Sequence, residues 1–506
     1  MIISKQTLNQ INASRKIETP TTAYFNLPEK VLQFGTGVLL RGLPDYFIDK
    51  ANKKGVFNGR IVVVKSTDSN GADAFDTQNG LYTHVIRGID KGVQVDEVVL
   101  NASISRVVSA KKDWNAILEV AKNPDLSLII SNTTEVGITL DTADSIHNTP
   151  PSSFPGKLLA VLHHRFKTFG NDPSKGLVIV PTELIPNNGD KLASIIVELA
   201  HLNKLEFEFL DWLEQHNHFC NSLVDRIVPG KLPADKYKSL VQEIGYDDEL
   251  AIMSEVYSLW AIQANHPKVA EVLSFSSVDN GVVVAPDIER FRELKLRLLN
   301  GSHTFTCGMA HLLGFETVVQ AMNNPHFFEF ISELMRDEIA RSLTVENISL
   351  DAALDFADAV LDRYKNPFIE HKWLSITMQY SSKMTMRNVP LILKYVERFN
   401  KVPQKMAFGF AAYLSFMQVS LGENGKYQGM RNGKTYEVND DKSPVLAEAW
   451  AAHQGQDLVR AVSSNQNLWG TDLTQIPGWV ETVAAFLDKV QSLQFSIQTI
   501  REASLV

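Results

Sequence analysis

From about residue 30 to 190, short apolar runs rich in β-branched residues alternate with stretches whose apolar positions recur every three to four residues. That alternation predicts parallel strands joined by helices. The candidate strands are KVLQF, RIVVVKS, LSLIISN and GLVIVP. They are apolar throughout instead of alternating, as expected when helices cover both faces of a sheet. Between the second and third, GLYTHVIRGID and VQVDEVVLNASISRVV are β-rich and predict an extra antiparallel arm. After about residue 285 the texture changes. NPHFFEFISELMRDEIARSL, DAALDFADAVLDRY and GWVETVAAFLDKVQSLQF carry the three-and-four spacing of helices. GENGKYQGMRNGKTYEVNDD, rich in Gly, Asn and charge, predicts an exposed loop or hairpin among them.

Composition narrows the classes. A chain of 506 residues, 44% hydrophobic and 21% charged, has enough apolar material for two or three domain cores. Its net charge of −9 argues against a nucleic-acid partner and means that an anionic ligand needs a local cationic pocket. Two cysteines, Cys220 and Cys307, imply no disulfide framework. The opening MIISKQTLNQINASRK lacks an apolar core, and runs such as GLVIVP fall far short of the roughly 20 residues that span a bilayer. The expectation is a cytoplasmic protein with no membrane partner; monomer and dimer both stay open.

The first candidate chemistry lies in VLQFGTGVLLRG. Gly35 and Gly37 follow an apolar strand and precede a helical run, where glycines let the backbone turn tightly against a pyrophosphate and the helix N-terminus stabilises it. Phe34, Gly35, Thr36, Gly37, Val38 and Leu39 are the candidate contacts. In the full G-x-G-x-x-G pattern the third glycine would fall at Leu40, so an ordinary strand-to-helix turn is the competing reading. At the end of the second strand, Lys65 and Asp68 offer a base for a ribose phosphate and an acid for a ribose hydroxyl, leaving NAD and NADP open. SNTTEVGI places Asn132, Thr133, Thr134 and Glu135 just beyond the third strand, where ligands bind in parallel sheets. The fold class is therefore α/β: a Rossmann-type N-terminal domain with a β-rich insertion, residues 1–285, followed by a mostly α-helical C-terminal domain, residues 286–506.

The second lies in KLRLLNGSHTF. At about 100° per residue, Asn300 falls near about 140° and His303 near about 80° from Lys295, so all three share one broad helical face. A rise of about 1.5 Å per residue puts Lys295 roughly 12 Å from His303 along the axis. Such a face suits carbonyl reduction. Negative charge that grows on oxygen needs positioned donors and a proton source. An amide donates without titrating, a lysine in a low-dielectric cleft exchanges protons more readily, and a histidine orients a partner or carries a proton.

Together these motifs resemble the long-chain, zinc-independent mannitol dehydrogenase family. QFGTGVLLRG, QNGLYTHVIRG, SNTTEVGI, PTELIPNNGDKL, LVDRIVPG, KLRLLNGSHT, RYKNPFIEHKWLSI, RNGKTYEVNDD and TDLTQIPGWVE run in family order from about residue 30 to 480. The resemblance implies NAD as cofactor and the helical domain as the substrate and catalytic domain, with Lys295 as catalytic lysine and Asn300 and His303 completing the set. It implies Asn188, next to Asn187 in PNNGD, as a second carbonyl-polarising amide, and Asp225 and Arg226 as lining the site. Without the resemblance these last are an Asn-Gly turn and an ion pair. Arg363, Asn366, His371 and Lys383 match positions near the substrate pocket, and the cations among them would bind a carboxylate. Leu39 and Leu40 stand where the polyol enzymes of the family carry an aromatic residue and a histidine. The implied substrate is accordingly a small hexuronate, with an uncharged ketose or polyol as alternative and a dinucleotide-binding regulator as the reading of another class. HNHFC brings His216, His218 and Cys220 together without a fourth zinc ligand, and the adjacent His163 and His164 would diverge on a helix, so no metal is expected.

Overall fold

The computed structural model describes residues 1–66, 73–133, 136–343, 348–492 and 496–504. The chain divides into two compact units, one of residues 1–88 and 94–288, the other of 89–93 and 289–506.

The first unit is built on six parallel strands: β1 (Glu29–Phe34), β2 (Arg60–Lys65), β3 (Ile104–Ser109), β4 (Leu128–Ser131), β5 (Val178–Pro181) and β6 (His218–Phe219). Their order is β3-β2-β1-β4-β5-β6, with Leu32 facing Val62 on one side and Ile129 on the other. This is the doubly wound order of dinucleotide-binding folds, in which the strand direction of growth reverses between β1 and β4. Both sheet faces are dry. Leu32, Phe34, Val62, Val64 and Ile129 pack into one core, and Val31, Ile61, Val63, Leu128 and Ile130 into the core on the opposite face. Neighbouring residues thus point into different cores, which is why the strands read as unbroken apolar runs.

The β-rich insertion divides differently from its sequence pattern. Tyr82–Asp90 and Val93–Asn101 pair through a two-residue turn at Lys91 (φ 51°) and Gly92 (φ 76°), the left-handed geometry of a tight hairpin. The end of VQVDEVVLNASISRVV, however, leaves the arm. It becomes β3, paired in parallel with β2 at the edge of the main sheet.

Two helices follow β1, a five-residue α1 (Val38–Gly42) and α2 (Pro44–Lys53), and α3 (Asn188–Leu202) follows β5. The second unit is helical around a core that includes Trp373, Tyr380, Tyr413 and Trp479. Its principal elements here are α4 (Ser302–Leu313), α5 (Leu350–Tyr364) and α6 (Gln404–Phe416). A Cβ on Gly409 of α6 would lie 2.8 Å from the Phe305 carbonyl of α4, so glycine is what lets these two helices approach. The Gly- and Asn-rich interruption forms a small antiparallel sheet, Val419–Leu421, Tyr427–Arg431 and Lys434–Val438, closed by an Asn432-Gly433 turn.

Candidate active site

In the first unit the carboxyl ends of β1 and β4 define the site. Gly35 has φ +127°, and a Cβ there would sit 2.8 Å from the Asn132 carbonyl at the end of β4, so both conformation and crowding demand glycine. Gly37 differs. Its φ is −61°, yet nothing lies within 4 Å of where its Cβ would be. Gly37 caps α1 without a side-chain acceptor, leaving the first N–H groups of that turn open to a ligand. Open space above uncapped N–H groups fits a dinucleotide's pyrophosphate. Leu40, in the place of the third glycine, is fully buried beneath the turn.

Behind the turn, Gln33 donates from Nε2 to the Gly35 carbonyl and to Asp45, 3.4 Å each. Burial pushes the Asp45 carboxyl up to about 8, so it is neutral at pH 7 and adds no repulsion for a phosphate. Thr36, Val38 and Leu39 are half-buried along the turn. The Phe34 ring is 3% exposed and packs into the core, its centroid 5.1 Å from that of Phe154, so its side chain does not face the turn. Lys65 forms a 2.5 Å ion pair with Asp73; Asp68, Thr134 and Glu135 lie outside the described residues. Asn132 donates to the carbonyl and hydroxyl of Thr182, while Thr133 donates from N–H (2.9 Å) and hydroxyl (3.0 Å) to Glu183. Glu183, which also accepts from Ser131 at 3.1 Å, had no motif to single it out beyond its place directly after a strand.

Three expected site residues of this unit, the carbonyl-polarising amide Asn188 and the substrate contacts Asp225 and Arg226, are all buried. Asn188 is fully buried. Its amide nitrogen donates to the carbonyls of Pro181, Glu183 and Ser222 at 3.0–3.1 Å, and its oxygen accepts from the N–H groups of Gly189 and Ser222 at 2.9 Å. No donor is left to polarise a carbonyl. Its neighbour Asn187 is the exposed one. Arg226 directs its guanidinium to the Glu255 and Gly42 carbonyls, 2.7–3.0 Å, and stacks 4.8 Å over Tyr46. It clasps the backbone. Asp225 is buried at the end of the strand Ser222–Asp225.

The second unit holds Lys295, Asn300 and His303 on one continuous helical run, Glu289–Leu294 leading into a π-helical turn, Lys295–Gly301, and then α4. A π-turn hydrogen-bonds i to i+5, so residues five apart stack where an α-helix would stack residues four apart. Lys295 and Asn300 are five apart, and the π-turn brings together what an α-helix would set about 140° apart. Both are half-buried. Of two further π-turns among the described residues, Leu334–Ile339 and Met384–Asn388, the latter begins immediately after Lys383 and packs on the first. Lys295–Gly301 and Met384–Asn388 brace each other. Arg297 of the first donates from Nη1 to the Met386 and Arg387 carbonyls of the second, 2.8 Å each, and Asn388 of the second donates to the Gly301 carbonyl, 3.2 Å. Widened turns release carbonyls from the helical ladder, and these side chains take them up. Tyr364 adds a hydroxyl to the Leu299 carbonyl at 2.7 Å.

His303 lies stacked on Tyr364, ring centroids 4.0 Å apart, with His371 and Trp373 edge-on at 5.2 and 5.7 Å. Burial, reinforced by His371, Arg363, Arg387 and Lys383, holds its pKa well below the ordinary range. The ring is therefore neutral at physiological pH, an orienting group more than a carrier of charge, and its Nε2 has no partner among the described residues. Asn366 is buried and accepts from the Phe368 N–H at 3.0 Å, shaping the turn after α5. Arg363 and Lys383 belong to the cationic group around His303; Arg387 belongs to it too and was not recognised from sequence. Among the described residues no group of three or more His, Cys, Asp or Glu could hold a metal ion, and no helix is long and apolar enough to cross a membrane. Burial pushes the Cys220 thiol up to about 12, and His218 stacks on His266 at 4.2 Å.

Two family models match in succession: the mannitol dehydrogenase Rossmann domain over residues 29–273 and the mannitol dehydrogenase C-terminal domain over 287–491. The chain is 38% identical to an altronate oxidoreductase of Bacillus subtilis, over 93% of this chain and 94% of that one. It is 35% identical to an altronate oxidoreductase of Shigella flexneri, over 92% and 94%. In structure it resembles a Pseudomonas fluorescens mannitol 2-dehydrogenase in ternary complex with NAD and D-mannitol (TM-score 0.66, 22% identity, 100% of this chain and 99% of that). It also resembles a D-sorbitol dehydrogenase in substrate-free form (TM-score 0.76, 19% identity, 99% and 100%).

Proposed function

The chain belongs to the mannitol dehydrogenase family, and from that membership we propose that it is an NAD-dependent oxidoreductase acting on CH–OH groups, reversibly reducing D-tagaturonate to D-altronate in galacturonate catabolism. The observation that carries the choice of a sugar acid is the pair Lys383 and Arg387, two half-buried cations beside the neutral His303 that form no ion pair with a carboxylate among the described residues. An uncharged polyol supplies nothing to offset that charge; a uronate carboxylate does. The relatives named altronate oxidoreductase support the same choice.

Gly35 to Leu39 hold the cofactor's pyrophosphate through the open N–H groups of the turn, with Asn132 and Thr133 beyond β4. When bound, the reduced nicotinamide supplies a hydride to the keto carbon. Lys295 delivers a proton from Nζ to the oxygen on which negative charge develops. Asn300 donates an amide N–H to the same oxygen, worth most where water is excluded. Neutral His303 offers Nε2 as an acceptor for a substrate hydroxyl, its plane fixed by Tyr364. Lys383 holds the carboxylate, with Arg363 adding positive charge nearby, and His371 flanks the hydroxyls.

The test is NADH oxidation by the purified protein on tagaturonate, fructuronate and fructose, repeated with NADPH. Turnover fastest on tagaturonate with NADH is expected, with fructose reduced only slowly. Preference for fructuronate or fructose would move the substrate within the family, and silence on all three with NADH still bound would make the protein a dinucleotide-binding regulator.

A further inference from the structure

We propose that Arg387 determines specificity: its guanidinium fork, together with Lys383 one turn before it, grips the substrate carboxylate and selects keto acids over uncharged ketoses. This deepens the proposed function and rests on it.

Lys383 and Arg387 are four residues apart across the junction of the helix Tyr380–Lys383 and the π-turn Met384–Asn388. Like charges at that spacing repel, and Arg387 is among the causes that lower the pKa of Lys383. Both side chains are half-buried. Among the described residues neither forms an ion pair with a carboxylate: Lys383 Nζ donates to the Ile376 carbonyl at 2.9 Å, and Arg387 Nη1 to the Thr304 hydroxyl at 3.3 Å. Asp440, which acts on Lys383 from a distance, is already held by the N–H groups of Ser381 (2.6 Å) and Lys442 (2.8 Å). Two partly desolvated cations without an acid are costly unless an anion arrives to share them.

The geometry also ties this pair to the reacting group. Thr304, which accepts from Arg387, donates its own hydroxyl to the Asn300 carbonyl at 2.7 Å. Arg297 pins the Arg387 backbone to the catalytic π-turn at 2.8 Å. Arg387 therefore sits in a fixed register with Asn300, as recognition of a carboxylate at one end of a substrate and a carbonyl further along it requires. With Nη1 on Thr304, Nε and Nη2 remain to form the paired N–H···O bonds that a carboxylate takes.

The experiment compares kcat/KM of the wild type, Arg387→Met and Arg387→Lys on tagaturonate and on fructose. Arg387→Met is expected to lose about 100-fold on tagaturonate, mainly through KM, while fructose turnover stays within about twofold; Arg387→Lys restores only part of the loss, because it returns the charge without the fork. The same loss is read without turnover as disappearance, in Arg387→Met, of the rise in melting temperature that D-altronate gives the wild type. Equal losses on both substrates, or an unchanged D-altronate shift, would overturn the assignment. A wild type that reduces no keto acid would overturn the proposed function itself, and is distinguished by that control. Should Arg387→Met not fold, Arg387→Lys carries the comparison: full recovery of tagaturonate KM there overturns the role of the fork.

Discussion

The two units treat their polar groups in opposite ways. Around the strand ends of the first unit, side chains that a motif would make functional are fully engaged: Asn188 with five bonds, Arg226 on two backbone carbonyls, Lys65 on Asp73. What stays open there is backbone, the N–H groups at Gly37. In the second unit, carbonyls of the two π-turns beside the site are taken up by Arg297 and Asn388, while among the described residues His303 Nε2 has no partner and Lys383 and Arg387 have no carboxylate. A bound dinucleotide is a constant ligand that backbone can cradle, whereas a reacting carbonyl and its carboxylate need titratable and charged side chains. Residues of one type therefore carry opposite roles, and their partners tell which.

The largest expected effect lies in the second unit. Lys295→Ala should lower turnover about 100- to 10,000-fold, the range for losing a positioned proton donor, while leaving NADH affinity and melting temperature unchanged. Retained turnover would remove Lys295 from the mechanism. Next comes a closed side chain. Asn188→Ala orphans buried carbonyls and N–H groups and should cost about 3 kcal/mol or more, seen as a melting temperature several degrees lower, with near-normal kcat in the folded fraction. Smaller still is Gly37→Val. Its side chain enters space empty to 4 Å, so the fold should be unaffected and the Kd for NADH should rise about 10- to 100-fold in a fluorescence titration.

The mildest prediction concerns pH. The folded pKa of Asp45, about 8, stands above the unfolded value near about 3.9. Its stabilising contribution is thus complete at low pH and is lost as pH rises through 8, by up to about 1.4 kcal/mol per pH unit. Asp45→Asn keeps the neutral hydrogen-bonding partner for Gln33 and should flatten that slope. Melting curves of both proteins from pH 6 to 9 check it; parallel curves would mean that Asp45 does not titrate there.

Much of the first unit was legible in the sequence, because a strand buried on both faces writes itself as an apolar run and Gly35 has a local cause. The role of Asn188 was not, since the Asn-Gly pair shows a turn while its deciding partner, Ser222, lies on another strand. β3 was hidden inside a continuous β-rich stretch that changes sheets at Ala102 and Ser103. In the second unit Lys295, Asn300 and His303 fall on one continuous helical run, as the sequence pattern expects, but the π-turn Lys295–Gly301 replaces the α-helical period between them. Arg387 carries no mark in sequence. Only the structure, which gives it a hydroxyl and, among the described residues, no acid, separates it from any surface arginine.

The most direct test of this division is to measure kcat and melting temperature for Lys295→Ala and Asn188→Ala side by side. A crossed result is expected: the lysine variant loses turnover at an unchanged melting temperature, and the asparagine variant melts earlier while its folded fraction still turns over. An Asn188→Ala protein that melts like the wild type but has lost its turnover would contradict it, returning Asn188 to the reacting carbonyl.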